Sequence, residues 1–191
     1  QRKKLKTSNL STLILDEADE MLRQGFQEDV EVILQDVPNS RRMWLFSATM
    51  PSSVRYITKK YMNDPLEVET KTAQHLKPQT DQWYYEVRQT DKLQALYRIL
   101  DYEHGMYGII FCKTKKDVDD VTEKLVLNGY KAEGLHGDLT QGHRNRILQK
   151  FRQQVCKLLV ATDVAARGLD INDLTHVINF AIPQDSELYV H

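Results

Sequence analysis

Short apolar runs alternate with longer amphipathic stretches along most of this chain, and that alternation constrains the fold more than any other feature. Residues 10–15, 43–46, 66–68, 83–87, 108–112, 132–135, 158–161 and 176–180 read as strands. Residues 26–35 read as a helix. Pro51 opens another, where a missing N–H is tolerated, followed by Val54, Ile57 and Tyr61 at helical spacing. Leu93, Leu96, Tyr97 and Leu100 mark a third helix. Val118, Val121 and Leu125 mark a fourth, with Gly129 as its C-terminal cap. Ile147, Leu148 and Phe151 mark a fifth. Strands alternating with helices imply βαβ units, hence an α/β fold with a parallel sheet covered on both faces. The periodicity lapses over residues 71–79, which read as a linker between a first domain, 1–70, and a second, 80–191.

Composition narrows the function classes. The 191 residues make one domain or two small ones, and 41% hydrophobic with 28% charged residues excludes a disordered chain. Lys and Arg total 26 against 27 for Asp and Glu, a net charge of -1. That excludes a strongly basic arm but not a local basic patch. The two cysteines, Cys112 and Cys156, lack any metal-ligand spacing, which argues against a disulfide framework or zinc site and for a reducing, cytoplasmic compartment. No apolar run approaches the roughly 20 residues of a membrane span.

Two motifs carry chemistry in the first half. Asp16, Glu17 and Asp19 follow directly on an apolar strand in the order Asp-Glu-Ala-Asp. Ligands of open α/β sheets bind beyond the carboxyl ends of strands. A carboxylate there can hold Mg²⁺ through retained waters, and its neighbour can orient or deprotonate an attacking water. Read blandly, the same acids are a solvated turn favouring a helix N-terminus. Ser47-Ala48-Thr49 ends the next strand; its hydroxyls can bond a neighbouring carboxylate or cap the helix after Pro51.

Together these residues resemble motifs II and III of the DEAD-box RNA helicases. The second half extends the resemblance in the family's order. Residues 109–114 (Ile-Ile-Phe-Cys-Lys-Thr) resemble motif IV. His136-Gly137-Asp138 with Gln141 and Arg144 resembles the Gln-x-x-Arg motif. Residues 161–170 resemble motif V, and residues 177–180 with 189–191 resemble the approach to motif VI. The resemblance implies two RecA-like parallel-sheet domains that close over ATP and a single RNA strand, separating a short duplex locally.

The same resemblance implies roles. Asp16 would hold the Mg²⁺ of ATP through water, and Glu17 would be the general base. Asp19, Ser47 and Thr49 would couple ATP to RNA and to the other domain. Gly168 and Asp170 would lie at the ATP ribose. Thr114, Arg144 and Thr162 would contact RNA, mainly its sugar-phosphate backbone, which gives affinity without sequence readout. His136 reads as a satisfied core histidine, and Trp83, Tyr84 and Tyr85 as packing or covering a sheet edge.

No Gly-x-x-x-x-Gly-Lys-Ser/Thr segment occurs, and the arginine-rich part of motif VI is absent. The chain begins at Gln1 and ends at His191, so it reads as the middle of a helicase core whose first domain is truncated at its N-terminus. The expectation is therefore a parent ATPase and an inactive isolated chain. The rival readings are a non-catalytic RNA-binding fragment or scaffold, and another motor ATPase of the same superfamily acting on DNA or on RNA by translocation.

Overall fold

A computed structural model describes residues 7–39, 41–69, 80–169, 171–183 and 189. By packing the chain divides into two compact units, Gln1–Gln79 and Thr80–His191.

In the first unit, β1 (Thr12–Leu15) and β2 (Arg42–Leu45) pair in parallel, with Thr12 opposite Arg42 and Leu15 opposite Leu45. Between them lie α1 (Ala18–Arg23) and α2 (Gln27–Asp36); α3 (Ser52–Tyr61) follows. Side chains alternate across a strand. Leu13, Leu15, Met43 and Leu45 therefore pack on the buried Leu34, Val54 and Ile57. Ile14, Trp44 and Phe46 face the other way and are exposed. The sequence pattern anticipates α2 and α3 but not α1. Gly25, at φ +84°, makes the left-handed turn that separates α1 from α2.

The second unit has a four-stranded, all-parallel sheet in the order β4-β5-β3-β6. Its elements are α4 (Lys92–Tyr102), β3 (Gly108–Cys112), α5 (Lys115–Leu127), β4 (Ala132–Leu135), α6 (Gln141–Arg152), β5 (Leu158–Thr162), the short α7 (Asp163–Ala166) and β6 (His176–Asn179). Strand alternation splits the core in two. Ile110, Leu158 and Val160 meet Leu96 and Leu100 of α4 and Val118, Val121 and Leu125 of α5. Ile109, Leu135, Leu159 and Ala161 meet Ile147, Leu148 and Phe151 of α6 on the opposite face. Both faces are covered, so β3 and β5 read as continuous apolar runs. Phe151 is fully buried against Tyr107, ring centroids 4.6 Å apart. Gly129, at φ +86°, follows the end of α5, as its sequence position suggests.

Two expected strands do not form. Residues 66–68 and 83–87 form no strand, with Leu66 89%, Val68 77% and Trp83 84% exposed. A strand needs a neighbour to take its backbone groups and bury its apolar side, and no described strand lies beside either segment. Trp83, Tyr84 and Tyr85 accordingly cover no sheet edge; the contact made nearby is the Tyr189 hydroxyl donating to Gln82 at 2.8 Å. The expected linker, 71–79, lies outside the described residues. No helix among the described residues is long and apolar enough to cross a membrane.

Candidate functional site

The first unit places its acidic residues at the carboxyl end of β1. Backbone bonds stitch this end to β2: the Phe46 amide donates to the Leu15 carbonyl at 2.8 Å, and the Ala18 amide to the Phe46 carbonyl at 3.1 Å. Asp16 and Glu17 are exposed there. Asp16 Oδ1 accepts from the Glu17 amide at 2.9 Å, which fixes one carboxylate oxygen. Glu17 has left-handed backbone angles, φ 51° and ψ 44°. For a non-glycine residue that costs on the order of 1–2 kcal/mol. Nothing in the sequence signals it, because Glu carries no preference for that region.

Asp19 turns inward. Its Oδ2 accepts from the Thr49 amide at 2.8 Å and the Thr49 hydroxyl at 2.7 Å. Ser47 joins the same link: its hydroxyl accepts from the Asp19 amide at 3.1 Å and donates to the Thr49 carbonyl at 2.7 Å. Burial pushes the Asp19 carboxyl up, but the Thr49 hydroxyl and amide, helped by Ser47, hold it below its ordinary value. Asp19, Ser47 and Thr49 thus form one network, with Asp16 and Glu17 beside it.

In the second unit, the carboxyl edge of the sheet is lined by three helix starts, each capped by a threonine. The Thr114 hydroxyl accepts from the Asp117 amide at 3.0 Å, and the Asp117 carboxylate reaches back to the Thr114 amide at 3.1 Å, a reciprocal capping box. Thr140 accepts from the His143 amide at 3.3 Å, and Thr162 from the Ala165 amide at 3.3 Å. Thr114 is exposed and Thr162 is buried. Both candidate RNA contacts are therefore also caps. Arg144 is half-buried and donates through Nη2 to the Ala165 carbonyl at 2.7 Å, tying α6 to α7. Gly168 is exposed at φ +67°, just after α7. Asp170 lies outside the described residues.

Sequence reasoning missed two side-chain pairs at this edge: Lys115 with Asp138, and His136 with Asp119. Lys115 and Asp119 lie on α5, outside every motif, so the motif spacing carries no signal for them.

A Mg²⁺ ion takes oxygen ligands and keeps several waters, using one or two carboxylates alongside substrate phosphates. An exposed Asp16 with one oxygen fixed fits that mode. No group of three or more His, Cys, Asp or Glu that could cage a metal exists among the described residues.

Comparison with known proteins follows the same motifs. The helicase conserved C-terminal domain model matches residues 91–191, and the DEAD/DEAH box helicase model matches residues 1–57. The chain is 50% identical over 190 residues to the DEAD-box ATP-dependent RNA helicase CshA of Bacillus cereus, covering 100% of the chain and 36% of the relative. The CshA of Geobacillus kaustophilus is 50% identical over 187 residues, covering 98% of the chain and 40% of the relative. The chain thus spans well under half the length of these curated relatives. Among solved structures, yeast Dbp5 bound to RNA and ADP BeF3 matches at TM-score 0.84 and 31% identity, over 97% of this chain and 48% of that one. A DEAD box protein from Methanococcus jannaschii matches at TM-score 0.55 and 42% identity, over 98% of this chain and 50% of that one. With a family model spanning residues 91–191 and the acidic motif at the carboxyl end of β1, this chain belongs to the DEAD-box helicase family.

Proposed function

We propose that the chain forms part of an ATP-dependent RNA helicase that couples ATP hydrolysis to local RNA duplex unwinding or remodelling of RNA–protein complexes. The observation that carries this reading is the first-unit arrangement: Asp16 and Glu17 exposed at the carboxyl end of β1, with Asp19 tied to Thr49. The relatives that share the sequence are named as ATP-dependent RNA helicases, and one structural neighbour holds RNA with a nucleotide analogue.

In this reading Asp16 is the magnesium and nucleotide ligand, and Glu17 is the general base that takes a proton from the attacking water. Bound Mg²⁺ supplies charge neutralisation at the phosphates. The left-handed turn at Glu17 sets the direction in which its carboxylate leaves the end of the strand. The Asp19–Ser47–Thr49 network holds the first turn of α1 against the end of β2, so that a shift at one motif is felt at the other. In the second unit, three helix N-termini converge on the carboxyl edge, and backbone N–H groups there favour phosphate oxygens. Thr114, Arg144 and Thr162 serve RNA both by contact and by fixing those termini. Gly168 and Asp170 are the residues this reading assigns to the ribose of ATP. A cytoplasmic location accompanies this reading, supported by two free thiols.

The isolated 191-residue chain has no Gly-x-x-x-x-Gly-Lys-Ser/Thr segment and is expected to be inactive as an ATPase. Strand displacement by the full-length protein tests the function. Short RNA duplexes should separate with ATP and Mg²⁺, while matched DNA duplexes stay intact. Equal action on DNA would favour a different motor, and no displacement or ATP turnover would favour a non-catalytic scaffold.

A further inference from the structure

Lys92 is the first residue of α4, where the helix macrodipole disfavours a cation. Its ammonium is held there by a residue 88 positions away. Nζ donates to the Phe180 carbonyl at 3.2 Å and lies over the Phe180 ring, 5.8 Å from its centroid. A cation at that range is attracted by the negative face of the ring. Lys92 and Phe180 are both half-buried, and Phe180 packs on the core that contains Leu96 and Leu100 of the same helix. The bond is thus charge-assisted and partly sheltered from water, unlike an exposed ion pair.

Phe180 stands where β6 ends. Among the described strands β6 pairs with β3 alone, with Asn179 opposite Phe111. An edge strand keeps one row of backbone groups unpaired, so its end depends more on bonds from side chains. Just past the paired residues, the Phe180 and Ala181 amides both reach the Phe111 carbonyl, at 3.0 Å and 3.4 Å. Only Cys112 and Lys113 separate Phe111 from Thr114, the exposed cap of α5. Lys92 therefore ties α4 to the end of β6, and β6 ties the end of β3 from which Thr114 issues.

We propose that Lys92 is a positioning residue for RNA: its bond to Phe180 fixes the end of β6 and, through the Phe111 carbonyl, the place of Thr114 at the carboxyl edge. This rests on the reading of that edge as the side that takes the RNA backbone. Lys92 touches no RNA in this arrangement, because its ammonium is committed to Phe180. Arginine, a cation that also donates to carbonyls and stacks on rings, can replace it.

RNA-stimulated ATP turnover by the full-length protein tests it, read as two quantities: the plateau at saturating single-stranded RNA, and the RNA concentration that gives half of it. Lys92→Met keeps the stem and removes the charge and the donor. It should raise the half-saturating concentration about tenfold, the scale of one hydrogen bond to a charged group, and leave the plateau within about twofold. Lys92→Arg should restore wild-type half-saturation. Amide exchange at Phe180 and Ala181 should quicken in Lys92→Met while the buried Ile110 and Val160 stay protected. Should Lys92→Met expose those two controls as well, Lys92→Gln carries the same test. A role in stability alone would lower the plateau through loss of folded protein and leave half-saturation unchanged. That result, failure of Arg to restore half-saturation, or unchanged exchange at Phe180 and Ala181 would overturn the proposal. Thr114→Ala separates it from the reading beneath. Unchanged half-saturation in Thr114→Ala removes RNA from this edge and takes the proposal with it, whereas a rise in Thr114→Ala but not in Lys92→Met overturns the role of Lys92 alone.

Discussion

Asp19 accepts two hydrogen bonds from Thr49, 2.8 Å from the amide and 2.7 Å from the hydroxyl, across 30 residues of chain. This contact makes one structural unit of the two motifs that end β1 and β2. Its acidity has a direction. The folded carboxyl titrates below its ordinary value, so the stability it contributes is present above the ordinary carboxylate range and is lost as pH falls through the folded value. Thr49→Val should lower stability at pH 7 by about 1–2 kcal/mol, the scale of a hydrogen bond to a charged group. The gap to wild type should shrink below about pH 4. Urea unfolding followed at Trp44, in a Trp83→Phe background, measures it.

Glu31 on α2 accepts from Lys60 Nζ at 2.6 Å, from the Tyr61 hydroxyl at 2.9 Å and from Gln27 Nε2 at 3.1 Å. The Lys60 hydrogen bond is the largest cause holding its carboxyl down to about 2. An NMR titration of the side-chain carboxyl should show that low midpoint. Lys60→Met should move it up toward the ordinary glutamate value, because the strongest donor is gone while Tyr61 and Gln27 remain.

Gly108 opens β3 where it presses on β6. A Cβ there would lie 2.5 Å from the His176 backbone carbonyl oxygen, and backbone cannot rotate away as a side chain can. Gly108→Ala should destabilise the second unit by about 1–3 kcal/mol through strand separation. A lower urea midpoint with loss of the His176 cross-strand amide protection is the expected result. Gly142, with open space at its Cβ, is the control.

Cys112 and Cys156 are both buried, and burial pushes their thiols up to about 12 and about 11. Thiolate is the reactive form. Both should resist a disulfide reagent at pH 7.5 in the native chain and react together on unfolding. Fast reaction of either under native conditions would show local opening of the sheet.

How much of this was legible beforehand depended on where each signal came from. The covered sheet was legible because β3 and β5 are buried on both faces and so spell their apolar runs outright. The segment around Trp83 misled because alternation reports only a strand's own side chains, whereas pairing depends on a neighbour. Asp16, Glu17, Asp19 and Thr49 were legible as ordered motifs. That the Ser47 hydroxyl would also take the Asp19 amide was not, since it depends on backbone angles set by the strand end. The approach of His136 to Asp119 was equally hidden, because Asp119 lies on α5 outside every motif.

The most direct measurement is steady-state ATP turnover by the full-length protein, with and without single-stranded RNA, for wild type and Glu17→Gln. Loss of a positioned general base costs about 10²–10⁴-fold. RNA should stimulate wild-type turnover, and Glu17→Gln should abolish that turnover while retaining ATP-dependent RNA binding. Turnover indifferent to RNA, or a Glu17→Gln variant as fast as wild type, would contradict the account.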